Sequence, residues 1–164
     1  EGRHADPSVL VQMDSYAVDG LEPGQIQFLY APTHLNPTYE YGVTFERGTA
    51  VTYGDRKQVF ISGTASIDNR GEIVYPGDIV KQTERMMENI SVLLKEAYAT
   101  TRDITQAISY LRDMADYAVV KKYFEAHYPD LPHLIVLAPV CRPGWLIETE
   151  CIAVVPTESS FKPL

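Results

Sequence analysis

Hydrophobic and polar positions follow regular spacings along most of this chain, but not along its first part. Residues 1–38 hold four prolines and little periodicity, and within them Val9–Met13 and Gln25–Tyr30 are apolar enough to predict short strands. Further along, β-rich runs and helical patterns follow one another. The pattern predicts an N-terminal arm or linker over 1–38, a folded domain over 39–157 and a C-terminal tail over 158–164.

Two helices are predicted by their apolar spacing. Asp78 is a good N-cap residue, and apolar side chains recur at a helical interval from Ile79 to Ala97. Asp113 marks the start of a second helix, which ends before two prolines. Runs of β-type residues predict the strands, which lie within 42–53, 59–62, 107–111, 134–137 and 146–155.

The predicted order of these elements is β-β-α-β-α-β-β, which indicates a single α+β domain. Helices in such an order cover one face of a mixed sheet. The other face would expose a large apolar patch if the chain were a monomer. We therefore expect the chain to form an oligomer through that face.

Composition and charge exclude several classes of protein. The 164 residues include 22 acidic and 14 basic ones, for a net charge of −8, so the basic stripe that nucleic-acid binding requires is missing. No apolar run approaches the length of a bilayer span, and the N-terminal residues lack a signal-peptide pattern. Cys141 and Cys151 form no C-x-x-C pair, and about ten residues of extended chain hold them too far apart for a disulfide, so we expect reduced thiols in a cytoplasmic protein. Nucleotide-binding motifs and spaced metal ligands are absent, so we expect no cofactor and no metal.

The last predicted strand contains two carboxylates on a face that is otherwise apolar. Side chains alternate along a strand, which places Glu148 and Glu150 together with Ile152 and Val154. Burial and mutual repulsion raise the pKa of at least one such carboxyl group, which suits a general acid at neutral pH. A strand end at which both carboxylates face solvent or pair with arginine explains the same pattern.

Arginine side chains are candidates for binding a substrate carboxylate, because their planar fork matches its geometry. Arg142 is the best candidate, since it lies in a proline-flanked loop just before the Glu148 strand. Arg47 and Arg112 are further candidates. A lone histidine such as His133 is more often a hydrogen-bonded structural residue than a ligand.

Four segments then occur in a recognisable order: Val59–Ser66 (VFISGTAS), Gln82-Thr83 with Asn89-Ile90, Asp113–Tyr117 (DMADY) and Ile147–Val154 (IETECIAV). Together they resemble the Rid (YjgF, endoribonuclease L-PSP-like) superfamily. The resemblance implies a mixed sheet with two helices on one face, and a homotrimer with pockets between subunits. Imine-deaminating members bind the substrate carboxylate through an arginine at the start of the penultimate strand. Alignment back from Glu148 places His133 at that position, so the residue that defines the deaminases is replaced.

A narrower resemblance involves Ser62–Ile67, Gly77–Thr83 and Val140–Pro143 followed by Glu148, which look like the C-terminal half of chorismatases. These enzymes hydrolyse the enolpyruvyl ether of chorismate. The resemblance implies that Glu148 donates a proton to the enol ether and that Arg142 holds a substrate carboxylate. It further implies that Cys141 shapes the substrate pocket. The remaining candidates for substrate binding are His133, Thr64, Ala65 and Glu150.

Chorismatases carry an additional N-terminal domain of related fold, whereas the matching segment here is preceded by residues 1–38. Either such a domain belongs to the full protein, or the same pocket serves another purpose. The leading hypothesis is a homotrimeric enzyme that acts on a small carboxylate-bearing metabolite, with chorismatase-like hydrolysis of an enol ether. The alternatives are a non-catalytic ligand-binding trimer and an enamine or imine deaminase with a non-standard site.

Overall fold

The computed structural model describes residues 5–9, 13 and 15–164. The regular structure of these residues consists of six strands and two long helices, with short 3₁₀ turns between them. In chain order the elements are β1 (Ile26–Leu29), β2 (Gly48–Thr52), β3 (Arg56–Ala65), α1 (Ile79–Glu96), β4 (Ile104–Leu111), α2 (Tyr117–His127), β5 (His133–Leu137) and β6 (Ile147–Pro156).

All six strands belong to one mixed sheet in the spatial order β1-β2-β3-β6-β4-β5. The β4–β5 pair is parallel and every other pair is antiparallel. The predicted α+β class, with a mixed sheet and two helices, is confirmed. The strand predicted within Gln25–Tyr30 is confirmed as β1, whereas most of the predicted Val9–Met13 strand lies outside the described residues.

The first predicted strand of the folded domain begins later than its composition indicates. Residues 42–47 are not β-structure, and β2 starts at Gly48. The reason is local, since Gly42 has a left-handed φ of 79° and ends the 3₁₀ turn Thr38–Tyr41. The chain therefore changes direction before it can enter the sheet.

Helix α1 begins as predicted at Asp78, whose side chain accepts a hydrogen bond of 3.0 Å from the main-chain N–H of Lys81. Its inner stripe lies against the sheet and supplies much of the core, with Met86, Ile90 and Leu93 fully buried. Both helices cover the same face of the sheet. The strands reflect this, because buried side chains alternate along them with more exposed ones.

Strand β6 shows how the sheet divides into a helix-covered face and an open face. Ile147, Thr149 and Cys151 are buried beneath the helices, while Glu148 and Glu150 are partly exposed on the opposite face. The predicted alternation is therefore confirmed, and the two carboxylates lie on the open face.

The open face carries a considerable amount of apolar surface. Phe28 on β1 is 48% exposed and Leu134 on β5 is 64% exposed. From the arm, the ring of Tyr16 packs on Phe60 of β3 with 5.8 Å between ring centroids. Among the described residues, no helix combines the length and apolarity that crossing a bilayer would require.

Candidate functional site

Glu148 lies near the start of β6, where it pairs with Ala65 of β3 and with Tyr110 of β4. Its carboxylate rests directly over Gly63, because the register of β3 and β6 shifts between Ile61 and Thr64. A Cβ atom on Gly63 would overlap Oε1 of Glu148 and lie 3.0 Å from its Cδ. The absence of a side chain at Gly63 therefore makes room for the carboxylate of Glu148.

The second carboxylate of the strand has a different role, because it is held by a tyrosine. The hydroxyl of Tyr110 donates a hydrogen bond of 2.8 Å to Glu150. Burial, together with that bond to Glu150, raises the pKa of Tyr110 to about 12, so its hydroxyl stays protonated as a donor. Tyr110 thus engages Glu150, and Glu148 is the carboxylate that faces the candidate site.

A tyrosine and two arginines lie near Glu148, and we call these four residues the Tyr41 cluster. The guanidinium carbons of Arg47 and Arg142 lie over the Tyr41 ring, 5.5 and 5.0 Å from its centroid. Burial raises the pKa of Tyr41, the two guanidinium charges oppose that shift, and the charge of Glu148 adds to it. Glu148 is therefore close enough to act electrostatically on the tyrosine that both arginines contact.

Within the cluster, Arg142 is oriented by its surroundings. Its Nη1 donates a 2.8 Å hydrogen bond to the carbonyl of Gly71, and its guanidinium carbon lies 5.0 Å from the ring centroid of Trp145. An arginine held in this way loses little side-chain freedom when it binds an anion. The structure therefore places the predicted carboxylate binder in the same cluster as the predicted acid.

The loop that carries Arg142 is fixed by Arg112 through its main-chain carbonyls. Nε of Arg112 donates to the carbonyl of Trp145, and Nη2 donates to those of Val140 and Arg142, each at 2.6 Å. Sequence reasoning proposed Arg112 as a binder of substrate anions. The structure instead uses its guanidinium to hold the loop that positions Arg142.

The two cysteines differ in environment and form no disulfide. Cys141 lies beside Arg142 in the loop and is exposed, whereas Cys151 is buried under the helices. Burial raises the pKa of the Cys151 thiol to about 12, which makes it a poor nucleophile.

The structure places His133 away from the Tyr41 cluster. Its Nε2 is 2.8 Å from the hydroxyl oxygen of Ser109, and its ring centroid is 4.0 Å from that of Phe124 on α2. It therefore lies on the helix-covered face, where burial lowers its pKa to about 4 and keeps it neutral at pH 7. In the observed register, Leu134 is the β5 residue that shares the open face with Glu150.

The remaining predicted site residues come close to Glu148 through their backbone. Thr64 and Ala65 are buried on β3, and Ala65 is the direct partner of Glu148. The Thr64 hydroxyl donates to the carbonyl of Ser62 at 2.9 Å. Over the described part of the chain, no group of three or more metal-ligating side chains is found.

Sequence reasoning missed the specific roles of Gly63 and Tyr41. Gly63 lies within the matched segment Val59–Ser66 and Tyr41 lies outside every matched segment, so the sequence pattern gives neither residue a role of its own. The glycine is informative because it lies on a strand that pairs with an acidic strand. The tyrosine lies in the short 3₁₀ turn Thr38–Tyr41, outside the strands and long helices, and gives no periodic signal.

Comparison with known proteins agrees with this architecture. The Endoribonuclease L-PSP family profile matches residues 48–155. A RutC family protein of Pyrococcus abyssi is 37% identical over 98 residues, which cover 58% of this chain and 76% of that protein. The 3-aminoacrylate deaminase RutC of Acinetobacter baylyi is 29% identical over 97 residues, which cover 58% of this chain and 77% of the deaminase.

A solved chorismatase structure has a similar fold. It matches with a TM-score of 0.70 at 20% identity, over 79% of this chain and 44% of the chorismatase chain. At that identity the likeness concerns the fold alone. The profile match spans well over half of the chain and includes all four motif segments. The chain therefore belongs to the Endoribonuclease L-PSP family, and so to the Rid superfamily that its motifs resemble.

Proposed function

We propose that this protein hydrolyses a small carboxylate that carries an electron-rich carbon–carbon double bond, in the manner of chorismatase acting on an enol ether. The observation that supports this proposal is the Tyr41 cluster. In this cluster the carboxyl group of Glu148, which lies over Gly63, is near the two arginines that contact Tyr41. Arg142 would bind the substrate carboxylate and Glu148 would supply the proton.

The reaction can be written with these residues alone and water. Glu148 in its acid form transfers a proton to the terminal methylene carbon of the enol ether, which leaves an oxocarbenium ion at the carbon bearing oxygen. Water adds to that carbon and returns a proton to Glu148. The resulting hemiketal collapses with cleavage of its carbon–oxygen bond, and the products are an alcohol and a 2-keto acid. The positive charge that develops lies next to a carboxylate, which stabilises it.

A second reaction of the same kind is supported by the similarity to a 3-aminoacrylate deaminase. An enamine is also protonated at carbon, and the iminium ion that forms is hydrolysed to an aldehyde and ammonia. The family's arginine for this chemistry was expected at the start of the penultimate strand. Here His133 is neutral and faces the helices, and Leu134 lies on the open face. A deaminase would therefore depend on Arg142 to bind its substrate.

The apolar open face supports the further proposal of a homotrimer. Phe28 and Leu134 would be removed from water by a neighbouring subunit, at about 25 cal/mol for each Å² of apolar surface buried. Two thiols outside any disulfide suit the reducing cytoplasm. A trimer that binds its ligand without turnover is the non-catalytic alternative.

Purified protein incubated with chorismate tests the first reaction, with pyruvate followed by coupled lactate dehydrogenase. We expect release by the wild type, loss of more than 100-fold in Glu148→Gln, and near-normal release by Glu150→Gln, in keeping with general-acid contributions of about 10²–10⁴-fold. Ammonia release from 3-aminoacrylate tests the second. Equal turnover by Glu148→Gln would remove Glu148 as the acid, and ligand binding with no turnover in any form would favour the non-catalytic reading.

A further inference from the structure

A cavity of about 530 Å³ lies between residues 30–39 and the start of β2, and it is larger than the proposed reaction requires. Its lining is mostly apolar and includes Tyr30, Leu35 and Tyr39. An apolar cavity of about 150 Å³ is enough to hold a benzene ring. The cavity therefore has room for a ring-sized group in addition to the three-carbon fragment on which the proposed chemistry takes place.

This cavity adjoins the Tyr41 cluster, because two residues of its wall, Arg47 and Asn36, belong to that cluster or contact it. The guanidinium of Arg47 lies over the same ring of Tyr41 as that of Arg142. The side-chain oxygen of Asn36 accepts a bond of 3.0 Å from Arg47. The amide nitrogen of Asn36 would lie only 2.7 Å from a Cβ atom on Gly71, whose carbonyl accepts a bond from Arg142. A ligand bound at Arg142 can therefore extend past Arg47 into the cavity.

The outer wall of the cavity is held in place by α1. The carboxylate of Glu96 accepts hydrogen bonds from the main-chain N–H groups of Tyr30 at 2.8 Å and Ala31 at 2.9 Å. His34 contacts Glu88 of the same helix, with 3.1 Å between Nε2 and Oε1. Because the wall is fixed in this way, little free energy would be lost in ordering it around a ligand.

Two tyrosines of the lining expose much of their side chains. Tyr30 is 56% exposed and Tyr39 is 77% exposed. Aromatic rings make favourable offset or edge-to-face contacts with other rings. A ring that enters the cavity would cover part of both tyrosines and remove apolar surface from water.

We propose that the substrate carries a ring-sized apolar group beside its carboxylate, and that this group lies in the cavity against Tyr30, Leu35 and Tyr39. The inference rests on the proposed function, in which Arg142 binds the carboxylate. It adds the size and polarity of the rest of the substrate, which that function leaves open. A substrate as small as 3-aminoacrylate would leave the cavity unfilled, so the inference favours an enol ether or enamine that bears a ring.

Pyruvate and phenylpyruvate are suitable probes, because both are 2-keto acids and only the second carries a ring. In isothermal titration of the wild type, phenylpyruvate should bind about tenfold to hundredfold more tightly than pyruvate, since its ring is removed from water. Arg142→Gln should weaken both ligands by a similar factor, because it removes the contact with the carboxylate that they share.

Tyr39→Ala tests the cavity itself, and the exposure of Tyr39 means that the variant should fold normally. It should weaken phenylpyruvate binding by about threefold to tenfold and leave pyruvate within about twofold of the wild type. Tyr98→Ala is the matched control and should change neither affinity, because Tyr98 is 86% exposed and does not line the cavity.

Equal affinity of the wild type for the two acids would overturn the inference, even if the protein releases pyruvate from chorismate. A preference for the ring that stays unchanged in Tyr39→Ala would overturn it as well. A preference that depends on Tyr39 in a protein without turnover would support the cavity as the ligand site and count only against the proposed reaction. Failure of both acids to bind would overturn the carboxylate contact at Arg142, and with it both proposals.

Discussion

Gln82→Leu gives the sharpest test of how the candidate site is held in place. Gln82 is fully buried on α1, and its Nε2 donates to the carbonyls of Tyr75 at 3.2 Å and Gly144 at 3.0 Å. Its Oε1 accepts from the N–H of Leu146 at 2.9 Å. Leucine keeps most of the volume but removes all three bonds, at a net cost of about 0.5–1.5 kcal/mol each. We expect unfolding free energy to fall by about 3 kcal/mol and Tm by about 6–12 °C.

Urea unfolding followed through Trp145 measures this loss, because it is the only tryptophan of the chain and lies in the affected loop. Protein concentration must be held fixed, since association would shift the apparent stability. Glu84→Ala on the exposed side of the same helix is the control and should change stability by less than about 0.5 kcal/mol. A loss below about 1 kcal/mol in Gln82→Leu would refute the view that Gln82 fixes the loop.

Three further predictions concern single side chains. Gly63→Ala should abolish turnover but lower stability little, because the added methyl group displaces only the flexible end of Glu148; turnover measured beside a urea melt checks this, and normal activity would contradict it. His133 has a pKa of about 4 in the fold against 6.5 when free, so the unfolded chain binds more protons between these values and stability falls as pH drops from 6.5 to 4. Allowing for its partial exposure, the loss is about 2 kcal/mol, and urea melts of His133→Gln should show a flatter dependence over this range. A thiol reagent should label Cys141 in the native protein and Cys151 only after unfolding; rapid labelling of both in the native state would argue against the burial of Cys151.

The sequence predicted most reliably those features that depend on local spacing. The Asp78 cap, the inner stripe of α1 and the alternation of Glu148 with buried neighbours in β6 all follow from periodicities of 3.6 and 2. For that reason the fold class and the candidate acid were both accessible from the residues alone.

Features that depend on contacts between distant segments could not be predicted in this way. Arg112 meets its loop across 28 to 33 positions of sequence, and nothing in its own neighbourhood indicates that it binds carbonyls rather than anions. The face occupied by His133 depends on the register of β5 against β4, where a shift of one residue exchanges the two faces. Tyr41 contacts Arg142 from a distant part of the sequence, and nothing near Tyr41 indicates that contact.

The way the loop before β6 is held has a consequence for how this protein can diversify. The side chains of Arg112 and Gln82 donate hydrogen bonds to main-chain carbonyls, and Gln82 also accepts one from a main-chain N–H group. Nearly every amino acid supplies these main-chain groups in the same place. The backbone conformation of the loop is therefore determined by residues outside the loop. Side chains such as Cys141 can be exchanged while the backbone that presents them stays where it is. A library randomised at Cys141 and Arg142 over an unchanged Arg112 would explore new ligands at little risk to folding, whereas one randomised at Arg112 would not.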